Sequence, residues 1–67
     1  MFIISFDLPR EMNSARVRLF RMLKSRNCKM IHESLWEGDN LKDLIEIASF
    51  IKKFGGRARI LEEKFLF

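Results

Sequence analysis

Phe2-Ile3-Ile4-Ser5-Phe6-Asp7-Leu8-Pro9 is the stretch from which the rest of the chain is read. Five residues rich in β-branched and aromatic side chains predict a strand. Pro9, which cannot donate to a ladder, closes it just after Asp7. Asn13 or Ser14 is then expected to cap a helix running to about Arg26. On its wheel Met12, Ala15, Leu19, Met22 and Leu23 share one face, with Phe20 beside them. Arg18, Arg21 and Lys24 share the opposite face, and Arg16 sits at the border between the Phe20 and Leu23 directions.

Met30 to Trp36 reads as a second strand with partial alternation, Met30, His32, Ser34 and Trp36 on one side and Ile31, Glu33 and Leu35 on the other. Glu37-Gly38-Asp39-Asn40 is turn chemistry that also supplies a helix cap, with a short additional strand near Glu37-Gly38 left open. Leu41, Leu44, Ile45, Ala48 and Ile51 follow helical spacing in a second helix, ended at Phe54 with Gly55 as a left-handed cap. Arg57 to Leu61 starts a last strand, whose alternation breaks at Glu62-Glu63 before Lys64-Phe65-Leu66-Phe67. The order β-α-β-(β)-α-β, two helices on one face of a small sheet, predicts an α+β sandwich of the ferredoxin-like kind over a single domain, residues 1–67.

A chain of 67 residues buries only roughly 60% of its unfolded surface, so it is marginal alone. One cysteine, Cys28, excludes an intrachain disulfide, and one Cys with one His falls short of a structural zinc set. An unusually good core or oligomerisation remains, and a homodimer is expected. The apolar stretches are too short for a transmembrane span, and Asp7 falls too early for a signal peptide. With a single unpaired cysteine, the expected location is the cytoplasm.

The net charge is +4, but its distribution says more. Residues 10–29 carry seven basic residues against Glu11, residues 30–51 carry five acids against Lys42, and the end of the chain is basic again. A basic block on an acidic background points to nucleic acid, with a solvated helix face as the plainer alternative. The chain has no glycine-rich phosphate loop, because Gly55-Gly56 follows a helix instead of opening one. Cys28 and His32 lie across a loop-strand junction and are not expected to meet; each reads as structural. Asp7 is the candidate for chemistry: a carboxylate ending the first strand can hold a hard cation such as Mg²⁺, or can simply stop the strand and accept amide hydrogen bonds. Two such carboxylates at a dimer axis would make a credible metal site.

Phe6-Asp7-Leu8-Pro9 closing strand one, a helix with Arg16 and Arg18 ahead of Leu19 and Leu23, and Ser34-Leu35-Trp36-Glu37 together resemble the Cas-two-like superfamily. That group holds the CRISPR-associated protein Cas-two, VapD-type toxin ribonucleases and the C-terminal domain of PaaX-type repressors. The resemblance covers residues 2–37; beyond them only element order is compatible. It implies a ferredoxin-like fold and a homodimer with facing sheets. The C-terminal segment, here Phe65-Leu66-Phe67, would add to the partner's sheet. It also implies Asp7 as a Mg²⁺ ligand for phosphodiester cleavage, Arg16 and Arg18 on phosphate, and, in the adaptor role, an integrase partner. Phe6 replaces the usual tyrosine, Arg26-Asn27 stands where a glycine usually ends the helix, and the chain has almost no room for a third strand. The functions so implied are a metal-dependent endonuclease acting on RNA or DNA through Asp7, and a non-catalytic phosphate-gripping scaffold using Arg16 and Arg18, to which the basic helix face adds Arg21 and Lys24. A third is a regulatory dimerisation module without nucleic acid.

Overall fold

A computed structural model describes residues 1–62. The elements are β1 (Phe2–Asp7), α1 (Asn13–Ser25), β2 (Lys29–His32), β3 (Leu35–Gly38), α2 (Leu41–Lys53) and β4 (Arg57–Glu62). All four strands pair antiparallel in the order β2-β3-β1-β4. Each β-α-β unit therefore skips one strand, β1 and β2 flanking β3, and β3 and β4 flanking β1. That interlocked arrangement matches the expected α+β, ferredoxin-like sandwich, with β1 central.

Alternation decides which side the helices cover. Ile4 and Phe6 of β1 and Trp36 of β3 are buried, together with Ala15, Leu19 and Leu23 of α1 and Leu44, Ile47 and Ile51 of α2. Burial of each such Leu or Ile contributes about 1.5–3 kcal/mol. Phe20 of α1 meets Trp36 with ring centroids 5.7 Å apart, and Phe50 meets Phe54 at 4.9 Å. The opposite face of the sheet carries Ile3, Ser5 and Asp7 of β1, in register with Leu61, Arg59 and Arg57 of β4. Glu37 and Leu35 of β3 stand opposite Ile3 and Ser5 on that same face.

The expected single strand over Met30–Trp36 is instead a hairpin that turns at Glu33-Ser34. The third strand, for which the chain length left little room, is therefore present as Leu35–Gly38. One local and one tertiary bond fix the turn: the Trp36 indole Nε1–H donates to the Glu33 carbonyl at 3.1 Å, and the Phe6 amide donates to the Ser34 carbonyl at 3.0 Å. A register shift between Met30 and His32 accommodates it. His32 consequently stands opposite Leu35, exposed, not on the Trp36 side.

The first helix is not capped by Asn13 or Ser14. Met12 takes the N-cap position, with no side-chain cap bond, after its amide donates to the Pro9 carbonyl at 3.0 Å. The second helix is capped as expected, Asn40 Oδ1 accepting from the Asp43 amide at 3.2 Å. Its buried line, however, is Leu44, Ile47 and Ile51, leaving Leu41 41% and Ile45 50% exposed. The helix is rolled so that Phe50 and Asp43 face α1, which draws Ile47 inward.

Both helices end in a Schellman motif with a left-handed residue, Asn27 (φ 59°) and Gly55 (φ 82°). The Cys28 amide bonds the Leu23 carbonyl at 3.0 Å, and the Gly56 amide bonds the Ile51 carbonyl at 2.9 Å. The expectations for Phe65-Leu66-Phe67 lie outside the described residues.

Candidate nucleic-acid interface

The basic block of α1 divides by what each side chain touches. Arg16 is half-buried and turns away from the exposed face; its Nη2 donates to the Leu8 carbonyl at 3.2 Å, tying α1 to the exit of β1. Arg26 donates from Nη1 to Asp43 Oδ1 at 2.8 Å and to Glu46 Oε2 at 2.9 Å, an ion-paired clasp between the helices. The Glu46 hydrogen bond, opposed by partial desolvation and aided by Asp43, raises the guanidinium pKa further still. Arg18, Arg21 and Lys24 remain exposed, and no ion pair engages them among the described residues.

Those three recur every three residues, about 4.5 Å of helix rise per step, and so form one oblique ridge. The Arg18 guanidinium carbon lies 5.3 Å from the Phe50 ring centroid, a cation–π contact that seats it at the groove between α1 and α2. Structure thus joins Arg18, Arg21 and Lys24 and assigns Arg16 to a packing bond.

Asp7 ends β1, exposed, directly opposite Arg57 in the ladder. It borders a shallow cavity of about 470 Å³ together with Ser5, Lys52, Gly56, Arg57 and Arg59. Three of these residues are cationic, and none was singled out from sequence. The alternation of Arg57 and Arg59 placed both on one face of a strand, but not which strand they would meet. Gly56 explains why the corner closes so tightly: a Cβ there would collide with the Asp7 carbonyl oxygen and stand 2.7 Å from Ile51 Cγ2.

The donors of one chain do not fit a hard dication. Asp7 is a single carboxylate among three cations, and among the described residues no three His, Cys, Asp or Glu side chains gather. Among the described residues the open sheet face carries no Phe or Trp on which bases could stack. Phe2, Phe6 and Trp36 all pack on the helix side, leaving Ile3, Ser5, Leu35, Glu37, Arg57 and Arg59 outward. Cys28 is half-buried, its Sγ lying over Gly38, apart from the exposed His32 on the strand beyond. Among the described residues no helix is long and apolar enough to cross a membrane. Compared with known proteins, the chain matches no protein-family model and no curated protein.

Proposed function

We propose that this chain is a nucleic-acid-binding protein that grips the phosphate backbone without reading bases. The observation that carries the reading is the segregation on α1: Arg26 is neutralised by Asp43 and Glu46, whereas Arg18, Arg21 and Lys24 form a ridge facing solvent. Long cationic side chains in a row suit contacts to successive phosphates, and among the described residues the open sheet face carries no Phe, Tyr or Trp to hold splayed bases.

The proposal includes a homodimer. Ile3 and Leu61 pair at one end of the uncovered sheet face, flanked by Glu37, with Leu61 52% exposed. A second copy covering that end would bury apolar area that a 67-residue chain cannot spare, and would leave Asp7 and Arg57 at the rim. A half-buried, unpaired Cys28 suits a reducing compartment such as the cytoplasm. Between binding and cleavage, the donor set around Asp7 favours binding, because its charge suits an anion better than a divalent metal. A scaffold role beside an integrase agrees with such a protein and rests on resemblance alone.

The test is the salt dependence of binding to duplex DNA and RNA, with light scattering for the mass. Three phosphate contacts per chain predict a log–log slope of roughly −2.7 per protomer on DNA. Arg18→Ala with Arg21→Ala should lower its magnitude by roughly two units. Unchanged affinity and slope in that variant would make the ridge an ordinary solvated surface, and a mass of 8.0 kDa at tens of micromolar would sink the dimer.

A further inference from the structure

The corner between α2, β4 and β1 carries a second cationic feature, separate from the α1 ridge. Arg57 and Arg59 lie two residues apart on β4, so both leave the same side of the strand with Cα atoms about 6.6 Å apart. Lys52 reaches the same cavity from the last turn of α2, and Ser5 and Asp7 line it from β1. Like charges that close repel, and Asp7 is the single acid among the residues lining the cavity. Three cations and one carboxylate leave the site at about +2, in a volume of about 470 Å³ that falls within the range of small-molecule sites.

We propose that this corner is a phosphomonoester site, with Arg57 and Arg59 gripping the phosphate and Lys52 as the third cation. A terminal phosphate carries about −1.5 to −2 at neutral pH, which matches the charge of the cavity, whereas each internal diester carries one negative charge and matches half of it. Guanidinium groups suit the ligand because their planar forks bind phosphate oxygens in pairs. The Ser5 hydroxyl, beside Arg59 on the neighbouring strand, supplies a neutral donor. A single phosphate does not fill the volume, so the occupant carries its phosphate on a larger group; resting on the nucleic-acid reading above, that group is a nucleoside, either free or at the end of a strand. Asp7 favours an end over an interior segment, since a strand running through would carry its next phosphate past that carboxylate.

The experiment compares two labelled DNA dodecamers of one sequence, with a 5′-phosphate or a 5′-hydroxyl, binding to the full chain. Thermal melts with millimolar 5′-AMP or inorganic phosphate run alongside. The phosphorylated strand should bind about tenfold tighter, the gain of an added charge-assisted contact. Arg57→Gln with Arg59→Gln should erase that preference while its melting temperature stays near the parent's, both side chains being exposed. A Tm rise with 5′-AMP identifies a free nucleotide as a sufficient ligand, and a rise with inorganic phosphate shows that the phosphate group suffices. Strand preference without either rise assigns the site to strand ends. Equal binding of the two dodecamers with no rise from either small ligand overturns the proposal, as does a preference that survives the double substitution. Failure of the α1 ridge would show separately, as loss of dependence on Arg18 and Arg21 in the 5′-hydroxyl dodecamer.

Discussion

Replacing Gly56 by alanine, with Gly55→Ala as the matched control, probes the joint that holds the corner together. The two glycines are neighbours and differ in what they need. Gly55 has φ 82° but open space, its nearest neighbour to an added Cβ being Pro9 Cγ at 4.0 Å. A left-handed alanine costs about 1–2 kcal/mol, and the stiffer unfolded chain returns roughly 0.4–1 kcal/mol, so Gly55→Ala should lose about 1 kcal/mol. Gly56 needs no positive φ, but its Cβ would collide with the Asp7 carbonyl and sit 2.7 Å from Ile51 Cγ2 and 3.1 Å from the Ile51 carbonyl. Two of these three atoms are backbone and cannot swing aside, and Ile51 is fully buried. Overpacking against such neighbours costs about 3 kcal/mol, the upper end of its usual range.

For a chain of 67 residues the total stability is about 3–10 kcal/mol, and each kcal/mol moves Tm by about 4–8 °C. Gly55→Ala should therefore lower Tm by about 5 °C, and Gly56→Ala by about 12 °C or more, or leave the chain unfolded. Parallel circular-dichroism melts and urea titrations of parent and both variants measure this. A Gly56→Ala loss equal to or smaller than that of Gly55→Ala would refute the claim that close approach, not backbone handedness, sets the α2–β1 corner.

Trp36→Phe removes the indole donor to the Glu33 carbonyl and should cost about 1–2 kcal/mol, read as a lower urea midpoint; an unchanged midpoint would mean the turn at Glu33-Ser34 stands without it. Asp43→Asn with Glu46→Gln releases Arg26 from its clasp, adding a cation to the α1 side, so the salt slope on duplex DNA should steepen by about one unit. Burial, with Asp43 adding to it, pushes the Cys28 thiol above its ordinary 9.0. The folded state then holds the proton longer than the unfolded state, so this group's stability is intact below pH 9 and declines as the pH rises through and beyond it. Cys28→Ser should flatten that alkaline decline in denaturant midpoint, and an identical decline in the variant would assign it to other groups.

The sequence by itself determined the elements whose signals are local. Phe2 to Pro9 spells a strand and its stop, Asn40 spells a cap, and Asn27 and Gly55 spell the left-handed helix ends, because each depends on backbone chemistry within a few residues. It also determined the inward face of α1, where Ala15, Leu19 and Leu23 follow one helical period. Tertiary structure decided what rests on contacts between distant segments. Glu33-Ser34 carries no glycine or proline, so the hairpin there became visible only once Trp36 entered the core and the Phe6 amide bonded the Ser34 carbonyl. The roll of α2 that hides Ile47 and exposes Ile45 came from packing against α1, since both residues suit a helical stripe equally well. Among the cations the same reason applies: Arg16, Arg18 and Arg26 are chemically alike. Only the positions of Leu8, Phe50 and Asp43 made one a packing bond, one a seated surface charge and one a clasp. The corner of Asp7, Lys52, Arg57 and Arg59 joins three elements far apart in the chain, and pairing of β1 with β4 brought it into being.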